Sequence, residues 1–588
     1  MVAISGMCAR SIKEGGIGVC NGPVDRSVSF LVLALLAAGS SGCNGAAACV
    51  AGQSCRPASA DPCRTYATTC NATSTQSSCA VGGEVADRTS CGTGLVCVAG
   101  QCGPAIRTVS GTFQTTYWPD AGTKTTLSSP PPYGKTAKAI LVPDASVGGY
   151  TTLPITLRAD QSFSIPDVPA GPYFLQLDQK VFPLCQGCPW PGSPEAVSTE
   201  LIELRANSPD LTIVTGARVD VAYRNDPYSR LDVAGLAPWT SGSSVRTASS
   251  QALQYGRLYA SPTPAAGATS AGGIWINFFS GALPDASKGD VVFVYQRAAT
   301  PVGSGATAAT ASAATRYARL TNLTLSSSSP GAAVTLTDSA PQTGAIHADF
   351  RYAQFAALAA ASVHPSAVPG ATGAAASVQA VPHSIRYPDM PFGFEQTSPF
   401  VVESYPARAA DIDYGTLHYG EFLDAHWKTY RYSAYTFDVD VPGGSEMALP
   451  AQITSMVAMT PDPGPIAPAL GPPTQPRIEG RDAFAPQTGV GLQPTVTWSP
   501  PALGQATSYQ VTISRRTQPV IAGETRTLSA VVYSGRAFKV PRGFLQQGSY
   551  YTASIAARSG PWDVFDRGPF RKGTPFHTAE CYTSYFTP

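Results

Sequence analysis

The 588-residue chain carries 39 Lys+Arg against 38 Asp+Glu, a net charge of +1, and charged residues make up only 13% of it. With no cluster of Lys and Arg there is no long-range field to gather phosphate, which argues against nucleic-acid binding. Its 56 glycines and 52 prolines favour turns over helices, and a chain this long exceeds one hydrophobic core, so several units are expected.

The first informative stretch is Ser27 to Asn44, SVSFLVLALLAAGSSGCN. Its apolar run, Phe30 to Ala38, falls well short of the ~20 residues a membrane-spanning helix needs. Arg10, Lys13 and Arg26 precede it and small residues follow, the order of a secretory signal, so residues 1–43 are expected to carry an export signal that is cleaved. The sequence Ser40-Ser41-Gly42-Cys43 resembles the lipobox of bacterial lipoproteins, in which small residues stand directly before an acylated cysteine. That resemblance implies lipidation of Cys43, membrane attachment through acyl chains, and a place in the cell envelope, as an outer-membrane lipoprotein or a secreted protein. Ordinary cleavage leaving Cys43 as a thiol, or an uncleaved anchor, are the alternatives.

Cysteine usage agrees with export. Of 14 cysteines, Cys49, Cys55, Cys63, Cys70, Cys79, Cys91, Cys97 and Cys102 crowd into one segment, separated by 5, 7, 6, 8, 11, 5 and 4 residues. Residues 44–103 are poor in aliphatic side chains and need covalent staples, so disulfides are expected there. A zinc site would want paired CxxC spacings or histidines, and the segment has neither. The end of this module, DRTSCGTGLVCVAGQCG, resembles cysteine-rich spacers of bacterial surface lipoproteins, which implies a stalk; a small binding head is the alternative.

From residue 104 short period-two runs replace the cysteines, the pattern of strands. In RADQSFSIPDVPAGPYFLQLD, residues 158–178, an Asp-Gln turn feeds a strand at Ser162–Ile165. Pro169-Ala170-Gly171 then turns the chain, and Tyr173, Leu175 and Leu177 share one face. This resembles the carboxypeptidase regulatory-like β-sandwich, with its recurring "G.F.I..VPAG.Y.L", over roughly residues 108–222 of a unit placed at 104–222. The resemblance implies an accessory domain without catalytic residues. Cys185 and Cys188 lie among Pro183, Pro189 and Pro191, which forbid the helix a redox CxxC needs, so a local disulfide is expected. Counting cysteines then leaves Cys581 unpaired, or pairing with Cys185 or Cys188.

Residues 223–459 read as further β-sandwich, in one or two subdomains, with a Ser/Ala/Thr-rich connection at 303–315. One Ala-rich helix is predicted near 346–363, ended by Pro365, with Phe350, Ala353, Ala357 and Ala361 on one stripe. His347 and His364 bracket it and read as surface residues. The segment 399–442 mixes aromatics with acids, and Asp411, Asp413, Tyr419, Glu421, Asp424 and Trp427 form a possible ligand surface. Paired carboxylates beside an aromatic platform could bind or cleave a glycan, while the alternation of Tyr435, Phe437 and Val439 reads as ordinary sheet packing.

Residues 460–476 hold seven prolines and are expected as a semi-stiff linker. Beyond it, residues 477–588 place Trp498 on an early strand, alternate Tyr509, Val511 and Ile513, and set Leu545 six residues before Tyr551. This resembles a fibronectin type III domain over 477 to about 580, which implies that Tyr551 forms a tyrosine corner. No Arg-Gly-Asp is present.

The fold class expected is mostly β: tandem β-sandwiches of immunoglobulin or fibronectin III type after a disulfide-rich N-terminal module, with one short helix. HExxH, GxSxG, phosphate-loop and dinucleotide-binding patterns are missing. The expected function is a non-catalytic surface or periplasmic lipoprotein, a binding, adhesion or envelope-structural module without cofactor or metal, whose partner is a protein or glycan. The alternative is an extracellular carbohydrate-active enzyme or its glycan-binding subunit.

Overall fold

Period-two alternation dominates the chain, and strands follow from it. The computed structural model describes residues 60–588 except 71–76, 86–88, 99, 118–124, 129–134, 182–195, 205–209, 216–227, 250–255, 260–262, 279–285, 289–290, 325–331, 383–399, 422–426, 442–448, 460–462, 517–526, 534 and 561–575. The expected export signal, Cys43, Cys49, Cys55, Cys185 and Cys188 lie outside the described residues. Among the described residues no helix is long and apolar enough to cross a membrane.

The chain divides into two units, Met1–Gly83 and Glu84–Pro588. In the first, Arg64–Cys70 pairs with the strand that begins at Ser77. Asp61 braces its start, its carboxylate accepting the Cys63 N–H at 2.8 Å. Cys63 and Cys79 are both disulfide-bonded.

The second unit opens with a three-stranded meander, Ser90–Gly92, Leu95–Val98 and Gln101–Pro104, stapled by Cys91–Cys102. Val96 of the meander packs on Ala170, and the Ala170 N–H donates to the Ala105 carbonyl at 2.8 Å. The meander is therefore fastened to the sandwich that follows it.

That sandwich is the first of several layers built on one 16-stranded sheet. From one edge fifteen strands run Ser244–Ser249, Val292–Val302, Ala309–Leu320, Phe400–Ser404, Val368–Pro382, Trp427–Val439, Leu449–Ala458, Phe576–Tyr582, Tyr550–Ser559, Ser508–Arg516, Thr527–Val532, Ala196–Leu204, Tyr173–Val181, Lys135–Asp144 and Gly149–Pro154, and the sixteenth, Asp338–Ser339, pairs off this path with Ala309–Leu320. Every joint on this path is antiparallel but one. At the exception, Ser198–Ile202 pairs in parallel with Thr527–Val531.

Because side chains alternate across a strand, each stretch of sheet offers two faces. Tyr173, Leu175, Leu177 and Ile202 point to one face and meet Val109, Phe113, Phe163 and Ile165 of a smaller sheet. The turns expected here form as the sequence implied: Gln161 takes φ 61° behind Asp160, whose carboxylate accepts the Ser162 N–H at 3.0 Å. Past the parallel joint the sheet buries the opposite face, on which Val511, Ile513, Ala553, Ile555 and Tyr551 pack beneath Ile478, Val496, Trp498 and Phe538. The tyrosine corner is present: the Gln546 N–H donates to the Tyr551 hydroxyl at 2.9 Å. A separate core of Leu231, Val233, Trp239, Val292 and Val294 fills the layer near the other edge.

Three local expectations are corrected. Residues 309–315 belong to a strand paired with Val292–Val302, since the run at 303–315 turns only over its first residues. The predicted helix starts later: Gly344–Phe350 is a strand, with Ile346, Ala348 and Phe350 buried in alternation, and only Tyr352–Ala356 is α-helical, followed by a π-turn at Ala359–Val363. Its buried side is Tyr352, Phe355, Ala359 and Val363, while Ala353, Ala357 and Ala361 are exposed. The larger apolar area of Tyr352 and Phe355 outweighs an alanine stripe at ~25 cal/mol per Å².

The Pro-rich segment is held against the core. Ile466 and Leu470 are buried, the Ile466 N–H donates to the Asp349 carbonyl at 2.8 Å, and the Arg431 guanidinium donates to the carbonyls of Gly464 and Pro465.

The parallel joint carries a buried carboxylate. Glu203 is 3% exposed and accepts the Tyr533 N–H just past the ladder. Replacing Glu203 with Ala leaves that donor without this acceptor and should cost about 1–3 kcal/mol, read as a lower midpoint in urea unfolding; an unchanged midpoint would show the carboxylate to be idle. Tyr551→Phe, which removes only the corner hydrogen bond, should cost about 1 kcal/mol in the same measurement.

Candidate functional site

The acids and aromatics of 399–442 fall on three elements. Asp411 and Asp413 stand at the start of the strand Ile412–Tyr419, which pairs with Gly344–Phe350, and Glu421 follows its far end. Six residues of strand separate Asp413 from Tyr419, about 20 Å at the extended rise, whereas carboxyl pairs that cleave glycosides stand ~5–9.5 Å apart. Glu421 therefore cannot act with either aspartate on one bond.

Each carboxylate already has a structural task. Asp411 accepts the Ala353 N–H at 2.8 Å, capping the short helix from another element, and lies 3.7 Å from the Arg351 guanidinium. That guanidinium also meets Asp349 at 2.6 Å. Asp413 accepts the Gly415 N–H at 2.7 Å, where Gly415 takes φ 74° at a bulge, and His347 stands 3.7 Å from it. Glu421 accepts from the Thr343 hydroxyl at 3.3 Å and the Tyr419 hydroxyl at 3.4 Å.

The aromatics are packed inward. Tyr419 is 2% exposed, leans on Phe400 with ring centroids 5.7 Å apart, and covers Gly344 so closely that any side chain there would enter its ring. Phe350 stacks on Tyr352 at 4.9 Å and Phe355 on Tyr435 at 4.8 Å, with Tyr414 edge-on to Phe350. Burial pushes the hydroxyls of Tyr352, Tyr419 and Tyr435 well above the ordinary tyrosine range. Of the six residues considered for a ligand surface, Tyr419 is core, Asp411, Asp413 and Glu421 are exposed but engaged, Asp424 lies outside the described residues, and the Trp427 side chain is likewise outside them.

Other groups displaced from ordinary chemistry sit on the strand Phe576–Tyr582, and of these the sequence singled out only Cys581. Cys581 is a free, fully buried thiol, as the cysteine count allowed, and burial pushes it up to about 12. An inert structural cysteine is the consequence. On the opposite face Glu580 is pushed up to about 7 by burial, against the weaker pull of the Gln452 N–H at 3.2 Å. His577, whose Nδ1 lies 2.8 Å from the Ser455 hydroxyl, is held below its ordinary range by burial. Cys91, Cys97 and Cys102, all candidates for disulfides, are oxidised.

No protein-family model matches the chain, and no curated protein matches it. Among solved structures it is similar to the crystal structure of a tetra-tandem repeat in the extending region of a large adhesion protein, with 10% identity over 81% of this chain and 100% of that one, at a TM-score of 0.10.

Glu580 gives the strand Phe576–Tyr582 a pH signature. The folded carboxyl keeps its proton between about 4.5 and about 7 while the unfolded one loses it, so this group's contribution to stability falls as pH rises through that window. Glu580→Gln should be more stable than wild type above pH ~7 and equal to it below pH ~4.5, measured by urea unfolding at both ends. A variant less stable than wild type at pH 8 would reverse the assignment.

Proposed function

We propose that this protein is a non-catalytic binding or envelope-structural module of the bacterial cell surface, held to a membrane by lipid on Cys43. One observation carries the non-catalytic part: Asp411, Asp413 and Glu421 are spread along a strand, and each accepts a hydrogen bond from the fold itself, while Tyr419 and Tyr435 fill the core. What the architecture offers a partner is area. A sheet of 16 strands carries many connecting loops, and such loops are where partners are commonly bound on a scaffold. The lipobox resemblance and the crowded cysteines support an oxidising compartment beyond the cytoplasm. The class of partner this reading takes is a protein or glycan at the cell surface, met without cofactor or metal.

Two measurements bear on it. Cys43→Ala should abolish incorporation of radioactive palmitate and move the protein from the membrane to the soluble fraction; unchanged membrane association in the variant would defeat the lipid anchor. Purified full-length protein incubated with the glycans of an array should release no reducing sugar, and turnover of any of them would overturn the non-catalytic reading.

A further inference from the structure

His364 ends the π-turn Ala359–Val363 and is 2% exposed, far from the surface residue its sequence context suggests. Its ring joins three segments distant in the chain. On one side Nδ1 accepts the Ser366 N–H at 3.1 Å, and the Ser366 hydroxyl, 2.7 Å from the same nitrogen, donates to the Asp440 carbonyl. On the other side Nε2 lies 3.2 Å from the Ser584 hydroxyl, which donates to the Phe484 carbonyl at 2.7 Å. With the Ser584 proton committed to Phe484 and Nδ1 accepting from an amide, the ring is neutral with its proton on Nε2, donating to Ser584. Phe484 closes the pocket edge-on, with ring centroids 5.4 Å apart.

The segments so joined close one edge of the C-terminal layers. Tyr585 and Phe586 are buried, Phe586 exchanges two backbone hydrogen bonds with Tyr551 at 2.9 Å, and the Ser584 N–H donates to the Ala483 carbonyl at 2.9 Å. Gln487 is tied in as well, its N–H donating to Tyr585 and its carbonyl accepting from Thr587.

We propose that His364 is a proton-operated latch: adding a proton to its ring releases the segments 480–490 and 583–588 from the body of the protein. A second proton on Nδ1 would face the Ser366 N–H, donor against donor, and would place a charge in a site built for a neutral ring. The charged side chains acting on the ring are Asp440 and Asp482, which favour the cation, but burial outweighs them and holds the group below its ordinary range. The other elements packed on the turn add no opposing charge at the ring. Arg477 of Thr474–Ile478 is exposed and donates to the Gly480 carbonyl, Asp438 of Trp427–Val439 accepts the Ala371 N–H, and Cys581 of Phe576–Tyr582 stays a neutral thiol. The folded state therefore binds fewer protons at His364 than the unfolded one, and its hold weakens as pH falls below ~6.5.

Amide hydrogen exchange on the full-length chain at pH 7.5 and pH 5.0, corrected for the intrinsic rate, tests this. Peptides covering 480–490 and 583–588 should lose at least tenfold more protection on acidification than peptides from Val368–Pro382. In His364→Gln, whose amide can still donate to Ser584 but does not titrate, that excess loss should vanish. Should that variant fold poorly, Ser584→Ala should show low protection in the same peptides at both pH values. Equal acid sensitivity in wild type and His364→Gln, or full protection of the wild-type peptides at pH 5.0, would overturn the latch.

Discussion

The five-pair parallel ladder between Ser198–Ile202 and Thr527–Val531 is the constraint on which the unit Glu84–Pro588 depends. Without it the layers formed early in the chain and those formed at its end would belong to different sheets. With it, backbone hydrogen bonds run unbroken from Gly149–Pro154 to Ser244–Ser249. Parallel pairing requires a crossover, and here it is about 330 residues long, so the ladder closes only after most of the chain has been placed. Phe174 meets Phe538 with ring centroids 5.9 Å apart, and the Tyr150 hydroxyl donates to the Lys539 carbonyl at 2.9 Å, contacts that reinforce the same junction from the side.

The joint also marks where the sheet changes the face it buries. Leu175, Leu177 and Ile202 pack toward the first small sheet, whereas Leu201 and Phe174, their neighbours on alternate positions, face the larger core with Val511 and Leu528. Strands at the junction are therefore apolar on both faces, as Leu201, Ile202 and Leu204 are, and Glu203 is the exception that the Tyr533 N–H requires. Farther along, Gln510, Thr512, Ser554 and Thr578 stand on the face opposite the core, and the alternation returns to the ordinary kind.

What the sequence makes legible is local. Tyr173, Leu175 and Leu177 alternate within one strand, Leu545 and Tyr551 are six residues apart, and an odd cysteine is a matter of counting; each is present in the fold as its spacing implies. What stays hidden is set by partners far away. The residues Ile346 to Phe350 suit a helix by composition, and they become a strand because Ile412–Tyr419 is there to pair with them. His364 reads as a surface residue beside Pro365 until Ser584, 220 residues on, takes its Nε2 proton. Tertiary context overrides propensity wherever a short segment finds a long-range ladder or a buried partner.

The same reasoning explains why Glu421 does not converge with Asp411 or Asp413 on one bond. Asp411, Asp413 and Glu421 cluster in sequence, but an extended strand spends that closeness on length at ~3.3 Å per residue, and the groups it separates are taken up one by one. A helix would have stacked residues three or four apart on one face, and the same acids could then have converged. Where strands dominate the described residues, convergence has to come from neighbouring strands in register. Across the central ladders such rows are filled by Ser, Thr, Gln and aliphatic side chains, as in Gln452, Ala556 and Gln510 beside Glu580. A row of that kind does not concentrate acid and base on one bond.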